Sequence, residues 1–390
     1  MILEGYGLET GGRSFLSINV GGSMQIPKFN PGELQVVAEV PDFFGGPGIP
    51  IYNFPVTGKE AVRALYERNA IWQVMLGIGV ESRNFTPAID PDNVARAFVF
   101  DGTVVPGVSN LNGGKDLFGI EWEYIPTAGG SMVRPGKPFI EDANDIEKKV
   151  VWPDIDSWDW DGALKANEQY LSGSTAYGAM LMNGYFERLI SFMDFEGAVL
   201  AMIDEDQKGA VKRFFEKLSD LYIRMIDKFI AYFPQVDIYT IHDDWGSQKD
   251  TFFAPAVVTE MIVPSMQRVT DFIHSKGRYT DLHCCGNNIK QVANMIAAGF
   301  DSWTPQAMND IEKIYDLYGD RILIATMPEI YDAKNSTEEE QRAYARAYAE
   351  KYCRPEKPSS LSMYSMAGLG ILTNAFREEL YKQSRINYGS

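Results

Sequence analysis

The chain has 390 residues, 45% of them hydrophobic and 23% charged, with a formal net charge of −17. That acidity argues against nucleic acid, whose phosphates require a basic footprint. No apolar run approaches the roughly 20 residues that span a bilayer, so no membrane is expected. Three cysteines cannot build a disulfide framework, and the opening Met1-Ile2-Leu3-Glu4-Gly5-Tyr6 has neither a basic region nor an apolar signal core. The expectation is a soluble, cytoplasmic protein.

Residues 1–56 are rich in Gly and Pro, with short alternating pieces such as Phe15-Leu16-Ser17-Ile18-Asn19-Val20, and read as a β-rich N-terminal extension. Thr57, followed three residues later by Glu60, is a capping-box signature for an amphipathic helix over 60–69. Residues 84–116 read as loop, 120–124 as a strand, and 134–162 as a long connection. A helix over 161–171 then leads to a strand over 175–182. Helices follow at 185–203 and 207–232, the second with apolar residues at Val211, Phe214, Phe215, Leu218, Leu221, Tyr222, Met225 and Ile226.

The strand at 236–241 ends at His242-Asp243-Asp244-Trp245-Gly246, and after a helix near 257–275 the next strand ends at His283. Helix 287–298 leads to a strand at 300–304. Helix 309–318 leads to a strand at 322–326 that ends at Met327-Pro328-Glu329. Helix 336–352, a strand at 359–364 and a closing helix at 372–384 complete the chain. This alternation is the mark of parallel βα units. No Gly-x-Gly-x-x-Gly follows a predicted strand and no phosphate loop is present, so a dinucleotide fold is poorly supported. The expected architecture is α/β, a (β/α)₈ TIM barrel over 57–390, with the active site at the C-terminal ends of the strands.

Two of the three cysteines and one of only three histidines fall in His283-Cys284-Cys285. Side chains alternate along a strand, so His283 and Cys285 should face one way and Cys284 the other. An imidazole and a thiolate side by side supply two legs of a zinc site. The competing reading is a small buried thiol beside a hydrogen-bonded imidazole. Cys353 lies at a helix-to-strand connection, on the opposite face of a barrel, and is disfavoured as a third ligand. Glu329 ends a strand on the correct face and is preferred, with Asp243 or Asp244 next. Asp243, Asp244 and His242 could also manage a proton. Asn183, Tyr185, Trp245, Gln306 and Tyr364 fall at or near strand ends and could contact a substrate.

Several segments together resemble the uroporphyrinogen decarboxylase superfamily, and within it the branch of corrinoid-protein methyltransferases. They are Asp243-Asp244-Trp245-Gly246-Ser247-Gln248, Pro255, Pro264, His283-Cys284-Cys285-Gly286-Asn287, Gly299-Phe300-Asp301 and Pro305-Gln306. Asp116-Leu117-Phe118-Gly119-Ile120-Glu121-Trp122 and Asn183-Gly184-Tyr185-Phe186-Glu187-Arg188 match as well, and the likeness runs over 57–387. The resemblance implies a (β/α)₈ barrel and zinc on a His-x-Cys pair, which maps onto His283 and Cys285. The family's further Cys on the last strand has no counterpart between Ser359 and Met366. The arginine-rich motif of the decarboxylases is not reproduced in the segment leading into Trp72. What the resemblance implies is methyl transfer between a small methylated substrate, with an aryl methyl ether favoured by the aromatic residues, and the cobalt of a corrinoid (cobalamin) carried by a partner protein. A homodimer is compatible with it. The alternative is a decarboxylase-like lyase acting without metal.

Overall fold

The computed structural model describes residues 27–41, 48–84, 94–96, 99–101, 114–125, 130–167, 171, 173–365 and 369–389. The alternating piece at 15–20, most of the loop assigned to 84–116 and the end of the helix assigned to 161–171 lie outside them.

In chain order the strands and helices are β1 (Val36–Val40), β2 (Ile49–Tyr52), α1 (Gly58–Tyr66), β3 (Ser82–Asn84), β4 (Val94–Arg96), β5 (Val99–Asp101), β6 (Gly114–Lys115), β7 (Glu121–Ile125) and β8 (Gly130–Val133). Next come α2 (Ile146–Lys149), α3 (Trp160–Asn167), β9 (Ala176–Asn183), α4 (Tyr185–Ala201), α5 (Lys208–Tyr232), β10 (Val236–His242), α6 (Pro255–Met261), α7 (Val263–Ser275) and β11 (Tyr279–His283). The chain ends with α8 (Val292–Ala297), β12 (Ser302–Trp303), α9 (Ile311–Tyr318), β13 (Leu323–Thr326), α10 (Glu338–Tyr352), β14 (Ser360–Leu361) and α11 (Asn374–Tyr388). Thr57 caps α1 as its sequence signals, with Glu60 reaching back to the Thr57 backbone N–H at 2.8 Å.

The protein is α/β, and its main sheet runs in hydrogen-bonding order β14-β13-β12-β11-β10-β9-β3. Seven strands, rather than the eight expected, are thus present among the described residues. Where an eighth belongs, an isolated parallel bridge joins Met75 to Leu361. The Leu361 N–H also donates to the Val74 carbonyl at 2.8 Å, and an antiparallel bridge between Ile78 and Arg83 follows.

Two compact units are each assembled from separate stretches of chain. One holds 84–171 and 178–310; the other holds most of 5–83 with 172–177 and 311–390. In the first unit, β10 and β11 pair in parallel with Thr240 beside Asp281 and His242 beside His283. β11 pairs in parallel with β12, Asp281 beside Ser302. Thr280 and Leu282 are buried against the helices, whereas Tyr279, Asp281 and His283 on the other face are half-buried. The apolar stripe of α5 is buried at every position that its spacing marked. α4 is two helical pieces merged across Asp194, whose φ of 60° is rare for a residue with a side chain. In the second unit, Arg385 and Tyr381 of α11 hold the Glu33 carboxylate at 2.8 and 2.7 Å, anchoring residues 27–35. No described helix is long and apolar enough to cross a membrane.

At the start of β11 and β12, His274 of α7 lies 2.9 Å from the Asp301 carboxylate, which also accepts the Thr280 backbone N–H at 2.8 Å. The hydrogen bond to Asp301 holds the His274 pKa above its ordinary 6.5. A raised folded-state value means that this contribution is full below the unfolded pKa and is lost as pH rises through the folded one. The stability difference between wild type and His274→Gln, measured by urea unfolding, should therefore shrink as pH climbs from about 6. A difference that stays constant with pH would contradict the pairing.

Candidate metal centre

β10 and β11 end side by side, and their register makes His242 and His283 direct neighbours. The two rings are 5.0 Å apart between centroids and inclined at 52°. Alternation carries the same face forward past each strand end. Asp244 brings its Oδ1 to 3.5 Å from His242 Nε2, and Cys285 brings its Sγ to 3.3 Å from His283 Nε2. Among the described residues, one set of three such donors lies mutually within 4.8 Å, that of His242, Asp244 and His283, and Cys285 joins it through His283.

The intervening residues face the other way. Cys284 is buried, and its sulfur accepts the Trp245 backbone N–H at 3.3 Å. Asp243 is fully buried and accepts the backbone N–H groups of Phe186 and Glu187 at 3.4 and 2.9 Å and the Trp245 indole N–H at 2.8 Å. It thereby caps α4, whose own N-cap residue is Gly184 and supplies no side chain. Gly184 is required there, because a Cβ would lie 2.3 Å from that of Asp243. Burial pushes the Asp243 carboxyl up to about 7, against the lowering effect of its donors.

Electrostatics within the cluster suit a cation. Burial would raise the Asp244 pKa, but the hydrogen bond and charge of His242 and the Cys285 N–H, donated at 2.6 Å, bring it below the usual range. Burial, and then the charge of His242, push His283 down to about 4, so its imidazole is neutral at ordinary pH. Burial and the neighbouring Asp244 carboxylate push the Cys285 thiol well up. A divalent ion reverses that last penalty, since coordination deprotonates a thiol outright. Neutral imidazole, carboxylate and thiol together are a donor set for zinc or a similar first-row divalent ion.

The loop after β11 is pinned from both sides. Gly286 sits at φ +91°, and a Cβ there would come within 2.3 Å of the Gly246 carbonyl oxygen. The Asn287 N–H donates to the Ser247 carbonyl at 2.7 Å. Asn309 accepts the Asn288 N–H at 2.9 Å and donates to the Gly286 carbonyl at 2.8 Å. Gln306 accepts the Gly286 N–H at 2.8 Å and donates to Cys285 Sγ at 3.5 Å.

The other residues singled out from sequence are placed as follows. Tyr185 is fully buried, its hydroxyl shared between Ser219 Oγ at 2.7 Å and the Ser265 carbonyl at 2.8 Å, so it serves helix packing. Trp245 is buried on Asp243, and Asn183 is buried with its carbonyl accepting the Tyr222 hydroxyl. Glu329 and Tyr364 belong to the second unit, where Glu329 is exposed and Tyr364 half-buried. Within the first unit, the carboxylate that meets the His283–Cys285 pair is that of Asp244, which accepts the Cys285 backbone N–H at 2.6 Å. Sequence reasoning passed over Glu187, whose charge acts on both Cys285 and Asp243. Its place in the first turn after a strand end is the signal that could have found it. Also passed over was Asp281, which accepts Ser302 Oγ at 2.6 Å and Thr240 Oγ1 at 3.2 Å. Burial raises its carboxyl to about 6, and counting back by two from His283 would have marked it.

The fold and cluster define an α/β protein with a set of candidate metal donors at the C-terminal ends of adjacent parallel strands. No protein-family model matches the sequence, and no curated protein matches it. Among solved structures the chain is similar to a methyltransferase from Methanosarcina mazei, at 14% identity and a TM-score of 0.43, over 67% of this chain and 73% of that one. It is also similar to an alpha-galactosidase from Saccharomyces cerevisiae, at 10% identity and a TM-score of 0.30, over 72% of this chain and 55% of that one. Similarity at that level carries no argument about activity.

Removing the Asp243 carboxylate would orphan two helix N–H groups and an indole N–H in a buried place. Asp243→Ala should cost about 3 kcal/mol or more in chemical denaturation. A loss under about 1 kcal/mol would show that the cap contributes little.

Proposed function

We propose that the protein is a zinc-dependent methyltransferase, moving a methyl group between a small substrate and the cobalt of a corrinoid carried by a partner protein, on a sheet of (β/α)₈ type. The observation that carries this reading is the 3.3 Å approach of His283 Nε2 and Cys285 Sγ, with the Asp244 carboxylate beside them. His283, Cys285 and Asp244 would hold the ion, Asp244 taking the place assigned from sequence to Glu329. Bound there, zinc supplies a Lewis acid for the heteroatom that carries the methyl group, an effect of several kcal/mol on a basic leaving group.

The chain's own residues do the rest. His242, 3.5 Å from Asp244, would deliver a proton to the leaving oxygen. Asp243 fixes the start of α4 and so sets where Glu187 stands. In such a transfer the bonding electrons would stay on the departing oxygen, which would take a proton, and a reduced corrinoid would be the co-substrate that accepts the methyl group as a cation. An aryl methyl ether is the preferred substrate on the sequence's aromatic content.

Purified protein should contain one zinc per chain and methylate free cob(I)alamin from at least one member of a panel of methyl ethers, methanol, methylamines and methyl thiols. Cys285→Ala and His283→Ala should lower turnover about a hundredfold or more. Asp244→Asn should deplete the zinc, and Glu329→Gln should leave it unchanged. Full zinc content in Asp244→Asn with depletion in Glu329→Gln would reverse the assignment. Undiminished turnover in Cys285→Ala would remove the proposal's basis.

A further inference from the structure

We infer that Gln306 is a positioning residue that tunes the Cys285 sulfur as a metal ligand, rather than one that holds substrate; this rests on the metal-dependent reading above. Both ends of its amide are committed to the loop after β11. The Gly286 backbone N–H donates to Gln306 Oε1 at 2.8 Å, and Gln306 Nε2 stands 3.5 Å from Cys285 Sγ. The first bond fixes the amide's orientation, because a backbone N–H can only donate and must face the oxygen. The NH₂ group is left pointing at the sulfur. The Cys285 backbone is held independently, its N–H on Asp244 Oδ1 at 2.6 Å and its carbonyl on Asn288 Nδ2 at 2.6 Å. Loop position therefore does not depend on the contact between amide and sulfur.

An N–H donor on a metal-bound thiolate draws charge from the sulfur lone pairs. The sulfur then donates less to the ion, and the ion stays a stronger acid toward its remaining ligand. Gln306 thus acts on the reaction through Cys285 and touches no reacting atom.

Cobalt(II) is the probe, since a cobalt-bound thiolate gives a near-ultraviolet charge-transfer band whose energy reports the charge on sulfur. Gln306→Leu removes both hydrogen bonds without adding charge. Gln306→Glu keeps the acceptor for the Gly286 N–H but presents no donor to sulfur. Both variants should move the band to lower energy, with Gln306→Glu keeping the wild-type melting temperature. A shift in Gln306→Glu alone would suffice if Gln306→Leu fails to fold. A wild-type band that stays unmoved in Gln306→Glu would overturn the inference and leave the metal site standing. No thiolate band in the wild type would overturn both.

Discussion

The parallel register of β10 and β11 is the constraint on which the site depends. It brings His242 and His283 to the same level on the same face, and period-two alternation then carries Asp244 and Cys285 onto that face. A slip of one residue between these strands would turn the ligating face toward the helix layer. The register is held by more than backbone pairing. Below the two histidines, Thr240, Asp281 and Ser302 join β10, β11 and β12 through a shared carboxylate. Beyond them, Gly246 and Gly286 pack so closely that a Cβ at Gly286 would come within 2.3 Å of the Gly246 carbonyl oxygen.

The residues between the candidate donor positions form the framework that holds them. Asp243 is the clearest case, being the acid flanked by His242 and Asp244 and yet wholly absorbed in capping α4 and holding the Trp245 indole. Cys284 has the same relation to Cys285, its sulfur occupied by the Trp245 backbone N–H. A tetrahedral ion tolerates little misplacement, and this arrangement surrounds each proposed ligand with buried, hydrogen-bonded neighbours.

Much of this was legible in the sequence because the signals were local. The Thr57–Glu60 box, the stripe of α5 and the alternation at His283 and Cys285 each follow from spacing along one element. Glu329 shows where that reasoning ends. From sequence it was preferred to Asp243 or Asp244, and what local pattern could not supply is the pairing of β10 with β11 that brings Asp244 to Cys285. Tyr185 was marked as a strand-end residue that could contact a substrate, and the use of its hydroxyl by α5 and α7, distant in sequence, was not legible there. Gln306 was marked only as a strand-end amide, and its engagement of Cys285 and Gly286 required the fold of the loop after β12.

The central claim is that one ion is shared by imidazole, carboxylate and thiolate at adjacent strand ends. X-ray absorption at the zinc edge of the metal-loaded protein tests it most directly. The account predicts a single sulfur at about 2.3 Å, with nitrogen or oxygen donors at about 2.0–2.1 Å completing the shell. A shell containing no sulfur, or a protein that retains no zinc at all, would contradict it.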